Sequence, residues 1–187
     1  DAKAAPGALR YICNVSGSVR SLVPPEFVES GIPITNWGDA PAGRLAEGAF
    51  ALLLACLKDL EGRRRIVRQG GWKPPETLCS PVLENMRVGV YGCGEIGRRF
   101  VEMLRPFRPA ILVFDPYAAS LPEGCERAGS LDELFGRCEA IVIHAALSEE
   151  TRGSVTAERL ARLPDRAVLV NTARGAIVDQ EALFAEL

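Results

Sequence analysis

The stretch Val88-Gly-Val-Tyr-Gly92-Cys-Gly94-Glu-Ile-Gly97-Arg-Arg-Phe100 decides how this chain is read. A β-branched, apolar run leads straight into Gly-x-Gly-x-x-Gly, and the glycines open onto a helix-like pattern. In that order the N–H groups of a helix N-terminus are available to cradle a pyrophosphate. The three glycines then serve different ends. Gly92 permits the tight turn, Gly94 the close approach of backbone to phosphate, and Gly97 the close packing of helix on strand. A second apolar run, Ala110-Ile-Leu-Val-Phe-Asp115, ends in an acid 18 positions beyond Gly97, where a carboxylate can accept hydrogen bonds from an adenosine ribose. A glycine triplet alone is weak evidence. Strand, glycines, helix and acid in sequence point to a dinucleotide, against a turn that binds nothing or one that holds S-adenosylmethionine. Asp115 suits free ribose hydroxyls and repels a 2′-phosphate, which favours NAD over NADP. Pro116-Tyr-Ala contains no arginine to receive such a phosphate; Arg98 and Arg99 are the cations that could reach one.

Outward from this stretch, residues 87 to 187 alternate between apolar runs and helical patterns. Strands are predicted at 87–91, 110–115, 140–144 and 167–171, with helices near 95–105, 130–137, 156–162 and 179–187. Nearly continuous apolar strands alternating with helices argue an α/β, doubly wound parallel sheet covered on both faces. Upstream, Leu9 to Cys13 reads as a strand. Pro24 to Gly31 is a helix punctuated by proline and glycine, and Ile32 to Asn36 is a further strand. Residues 1–40 thus look like the tail of an α/β unit too small to fold alone, followed by a domain over 41–187. From Ala42 to Gln69 the pattern predicts one long helix, ended by Gly70, Gly71, Pro74 and Pro75. Its first half, Ala46 to Leu57, is apolar on nearly every face, which implies burial on several sides. Arg63, Arg64, Arg65 and Arg68 in its second half read as a solvated face rather than an anion patch.

The 187 residues, 48% hydrophobic and 25% charged, are enough for a substantial core. A net charge of −2 offers no global field for nucleic acid or an anionic membrane. The apolar run Ala49 to Leu57 is too short to span a bilayer, and no signal peptide is visible. The six cysteines are scattered, without Cys-x-x-Cys or a nearby histidine at metal spacing, so reduced cytoplasmic thiols and no metal site are expected. The first residue is Asp1 and the last, Leu187, falls inside a helical pattern, which reads as a fragment of a longer protein.

A second stretch carries chemistry: Val168-Leu-Val-Asn171-Thr-Ala-Arg174-Gly-Ala-Ile-Val-Asp179. A hydrophobic strand delivers small polar residues and one arginine to its carboxyl end, where ligands sit in doubly wound sheets. Arg174 can grip a carboxylate bidentately and polarise an adjacent carbonyl, although an ordinary surface arginine explains it equally well. His144, the only histidine, follows the strand Ala140-Ile-Val-Ile; with no evident carboxylate partner it is a poor acid–base candidate.

These motifs, together with His144-Ala-Ala-Leu-Ser-Glu-Glu-Thr151-Arg-Gly, resemble the D-isomer-specific 2-hydroxyacid dehydrogenase family over nearly the whole chain. The resemblance implies a Rossmann-type NAD-binding domain preceded by the end of a smaller flavodoxin-like substrate domain, with NAD in the cleft. It also implies a homodimer through the cofactor domains, partly burying the Ala46–Leu57 helix. Members transfer hydride between nicotinamide C4 and C2 of a 2-hydroxy or 2-oxo acid. By this resemblance Arg174 is the catalytic arginine that holds substrate carboxylate and carbonyl. Gly92, Gly94, Glu95, Ile96 and Gly97 bind the pyrophosphate, Asp115 the ribose. His144 and Thr151 lie on the cofactor side, and Thr172, Ala173 and Arg174 beside the nicotinamide. Ser16, Gly17 and Ser18 fall where the substrate loop offers N–H groups to the carboxylate.

Two departures stand out. The family's acid–base histidine and its glutamate would lie past Leu187, so the 187-residue chain is expected to be nearly inactive by itself. The proline expected after His144 is replaced in Ala145-Ala-Leu-Ser. The alternatives are an NAD(H)-sensing binding module of the corepressor type and a methyltransferase; the latter offers no account of Asn171 to Arg174.

Overall fold

A computed structural model describes residues 9–15, 17, 19, 22–72 and 80–187. The chain divides into two compact units between Pro41 and Ala42. In the first, β1 (Ile12–Cys13) pairs in parallel with β2 (Ile34–Thr35), and α1 (Pro25–Glu29) lies between them in sequence. Proline at the start of α1 and Gly31 at φ +78° beyond its end bound that helix.

The second unit holds a parallel sheet of β3 (Arg87–Tyr91), β4 (Ala110–Phe114), β5 (Cys125–Arg127), β6 (Ala140–Ile143) and β7 (Val168–Asn171). Their order is β5-β4-β3-β6-β7. Around it stand α2 (Ala42–Leu57), α3 (Leu60–Arg68), α4 (Glu95–Leu104), α5 (Leu131–Arg137), α6 (Ala157–Leu160) and α7 (Gln180–Glu186). Because side chains alternate along a strand, each apolar run feeds both faces at once. Val88, Val90, Ile111, Val113, Ala140, Val142 and Val170 pack with α2 and α4. Tyr91, Leu112, Ile141 and Ile143 pack with α5 and α6 on the opposite face. This double burial explains why the runs look uniformly apolar, as expected for a doubly wound sheet.

Three sequence expectations need correction. The long helix over 42–69 is two helices, because Asp59 takes a left-handed conformation at φ +44°. Its carboxylate accepts from the Gly62 N–H at 3.1 Å and caps α3, a local bond that offsets the backbone cost. Within this chain the apolar segment Ala46 to Leu57 is buried on one side: Ala42, Ala46, Ala49, Leu53 and Leu57 form a buried stripe, while Leu45 and Leu52 are exposed. Only one side of α2 meets α4, β6 and β7. Finally, β5 has no counterpart among the predicted strands; its Cys-Glu-Arg is short and polar because it pairs only with β4, at the sheet edge. The arginines of α3 fit the solvated reading, since no residue of that helix is buried and Arg64 pairs with Glu61.

Leu53→Ala should cost about 2–5 kcal/mol of unfolding free energy by urea titration, and Leu52→Ala under about 1 kcal/mol. Similar losses for both would contradict the single buried stripe.

Candidate functional site

Strand order reverses at β3, with β4 on one side and β6 on the other, so a crevice opens outside their carboxyl ends. The glycine turn forms its floor. Gly92 has φ +94°, and a Cβ there would lie 2.5 Å from the Ala145 nitrogen. A Cβ on Gly97 would lie 2.2 Å from the Gly92 carbonyl oxygen. Gly94 differs: a Cβ would meet nothing within 4 Å, and Gly94 is the N-cap of α4 with no side-chain cap. A side chain at 94 would therefore fill an open cradle before the helix N-terminus, which suits a pyrophosphate. Glu95 and Ile96 make the first turn; Glu95 is exposed and Ile96 packs against the core.

Asp115 links this turn to the next strand. One carboxylate oxygen accepts from the Cys93 N–H at 2.7 Å, and the other accepts from the N–H groups of Tyr117 at 2.9 Å and Ala118 at 3.1 Å. Arg127 then grips the same loop from β5, donating to the carbonyls of Asp115 at 2.9 Å and Ala118 at 2.8 Å. Arg98 donates to the Ser120 carbonyl, so its guanidinium is engaged with the chain.

Beyond β6, the His144 N–H donates to the Tyr91 carbonyl at 2.7 Å, and its ring lies 5.0 Å from that of Phe100. Its buried Nε2 meets no hydrogen-bond partner among the described residues. Burial pushes its pKa down to about 4, so the ring is neutral at pH 7. Thr151 turns its hydroxyl inward: it donates to the Ala146 carbonyl at 2.7 Å and accepts from the Ser148 N–H at 2.8 Å, closing the loop after His144.

At the end of β7 an Asn171 side chain organises the rest of its motif. It accepts from the Ala173 N–H at 3.0 Å and donates to the Arg174 carbonyl at 2.9 Å. Thr172 and Ala173 are half-buried, while Arg174 is exposed, its Nη1 donating to the Ala173 carbonyl at 2.9 Å. The residues expected from the glycine turn, Asp115, His144, Thr151 and Thr172 to Arg174 thus all follow β3, β4, β6 or β7 on one rim of the sheet. Gly17 belongs to the first unit, where its carbonyl accepts from Asn36; Ser16 and Ser18 lie outside the described residues.

Sequence reasoning missed three residues that shape this rim, Arg127, Tyr117 and Glu150, and gave Asn171 no separate role. Tyr117 donates its hydroxyl to the Glu150 carboxylate, joining the loops that follow β4 and β6. Asn171 was legible in its motif as a short polar residue before a turn; the Tyr117–Glu150 pair left no local signal.

The unfolded chain takes up a proton on His144 below about pH 6.5, whereas the native ring stays neutral until about pH 4. His144 therefore makes stability fall as pH drops through that window. Urea midpoints at pH 7 and pH 5 should differ less in His144→Phe than in the parent; equal differences would contradict a buried neutral ring.

The family model for D-isomer specific 2-hydroxyacid dehydrogenase, NAD binding domain, matches residues 50–187. Hydroxypyruvate reductase of Thermotoga maritima is 32% identical over 159 residues, which cover 85% of this chain and 51% of that protein. Glyoxylate reductase of Pyrococcus furiosus is 30% identical over 188 residues, covering 96% of this chain and 56% of that protein. The crystal structure of NAD-dependent formate dehydrogenase from Staphylococcus aureus in complex with NAD superimposes with a TM-score of 0.77 at 31% identity, over 85% of this chain and 48% of that one. The chain spans about half the length of these relatives. With the family's NAD-binding domain matched over most of its length, the chain belongs to the D-isomer specific 2-hydroxyacid dehydrogenases.

Proposed function

We propose that this chain is the NAD-binding part of an oxidoreductase that interconverts small 2-hydroxy and 2-oxo acids. One observation carries the reading: Asn171 sets Arg174 on the same rim that bears the Gly94 cradle and Asp115. Gly92 to Gly97 would hold the pyrophosphate on α4, Asp115 the adenosine ribose, and Thr172 to Arg174 the nicotinamide side. When bound, the nicotinamide supplies or accepts hydride at its C4. Arg174 would bind the substrate carboxylate through its planar fork and stabilise negative charge developing on the adjacent carbonyl oxygen. His144 is not the proton donor, since it stays neutral to about pH 4 and its Nε2 is buried. Acid–base work is assigned to groups outside these residues.

Residues 1–40 are proposed as part of the substrate-binding domain, with Ser16, Gly17 and Ser18 as its candidate substrate-loop residues, and residues 41–187 as the cofactor domain. The exposed Leu45 and Leu52 on α2 support a homodimer through that helix. Free cysteines at 13, 56, 93, 125 and 138 support a cytoplasmic, reducing setting. Among the described residues no helix is long and apolar enough to cross a membrane.

NADH fluorescence titration tests the cradle. Gly94→Asp should weaken binding at least about tenfold, through bulk and charge beside the pyrophosphate. Glyoxylate should then perturb the fluorescence of the NADH complex of the parent but not of Arg174→Ala. Equal NADH binding by the parent and Gly94→Asp would overturn the cradle; equal glyoxylate responses would overturn the role of Arg174.

A further inference from the structure

We propose that Glu150 is a second cofactor-specificity residue, held by Tyr117 at the adenosine end so that its carboxylate repels a 2′-phosphorylated dinucleotide. The inference rests on the dinucleotide reading above and concerns which cofactor that site admits.

Topology places Glu150 there. β4 and β6 flank β3, with Tyr91 opposite Phe114 on one side and Ile143 on the other. Asp115 follows β4 directly, and the loop from His144 to Thr151 follows β6. The Tyr117 hydroxyl spans the ends of these strands and donates to Glu150. Burial raises the pKa of the Tyr91 phenol, the Ser154 hydrogen bond and the Arg159 charge lower it, and both carboxylates add smaller upward effects, so Glu150 and Asp115 lie within reach of the same side chain at the end of β3.

The two acids differ in how far their charge is already answered. Asp115 accepts three backbone N–H groups, which hold it rigid and absorb much of its acceptor capacity. Glu150 accepts one neutral hydroxyl on one oxygen, and among the described residues it forms no ion pair, Arg152 two positions on included. Of the cations near this end, Arg127 donates to two carbonyls and Arg98 to a third, while Arg99 and Arg152 are exposed and form no ion pair among the described residues. A dianionic 2′-phosphate entering here would meet Glu150 with no free cation on the loop after β4. A plain ribose would meet hydrogen-bond acceptors.

Binding of NADH and NADPH by fluorescence titration tests this in the parent, Glu150→Gln and Tyr117→Phe. Glu150→Gln keeps an acceptor for the Tyr117 hydroxyl and removes only the charge. It should raise NADPH affinity about threefold to tenfold, the effect of one partly screened charge on a phosphate nearby, and leave NADH within about twofold. The gain should shrink at high salt. Tyr117→Phe leaves the charge but releases it, so its NADPH gain should be smaller than that of Glu150→Gln yet measurable. An unchanged NADPH-to-NADH ratio in Glu150→Gln, or equal gains for both cofactors, overturns the proposal. No NADPH gain in Tyr117→Phe overturns the holding role of Tyr117. Failure of the parent to bind either cofactor overturns the dinucleotide reading itself, and this inference with it.

Discussion

The rim depends on one close backbone approach. Gly92 turns at φ +94° between the start of α4 and the exit of β6, leaving no room for a Cβ against Ala145, while Gly97 leaves none against the Gly92 carbonyl. The Gly92 N–H in turn donates to the Phe114 carbonyl at 2.9 Å, so the turn is referenced to β4 as well. Helix, both neighbouring strands and the loop after β6 are located by this one crowded point. The open space at Gly94 is its consequence: the helix N-terminus is pulled close to the strand end and its first turn left clear.

Around that point the rim is built unequally. The end after β4 is tied by the Asp115 carboxylate, by Arg127 and Arg98 on the loop carbonyls, and by Tyr117 reaching Glu150. The other end carries an exposed Arg174, steadied through its backbone by Asn171, its guanidinium donating among the described residues to its neighbour's carbonyl. Bonds already made within the loop after β4 lower the cost of ordering it around any ligand. The end after β4 carries the Asp115 and Glu150 carboxylates beside the Arg127 and Arg98 guanidinium groups, whereas the end after β7 carries Arg174.

Much of this was legible in the sequence because it is local or periodic. The apolar runs ending at Tyr91, Phe114, Ile143 and Asn171 carry period-two burial on both faces, and the glycine spacing answers to the turn. What escaped was set by tertiary contact. Asp59 breaks the long helical pattern because its own side chain caps the next helix, a choice that propensity over 42–69 does not display. β5 has too few apolar residues to register until its pairing with β4 is seen. Leu45 and Leu52 look like core residues in a window of sequence, yet α2 has only one packed side. Tyr117 and Glu150 lie 33 residues apart and meet only because the loops after β4 and β6 both rise beside β3.

The crowded turn can be tested without any ligand. Gly97→Ala would bring a Cβ to 2.2 Å from the Gly92 carbonyl oxygen, whereas the same change at Gly94 meets nothing within 4 Å. Urea unfolding of the two variants beside the parent is the direct measurement. The account predicts a loss of about 1–3 kcal/mol or more for Gly97→Ala, since backbone must shift, and under about 1 kcal/mol for Gly94→Ala. Equal stabilities for the two variants would contradict it.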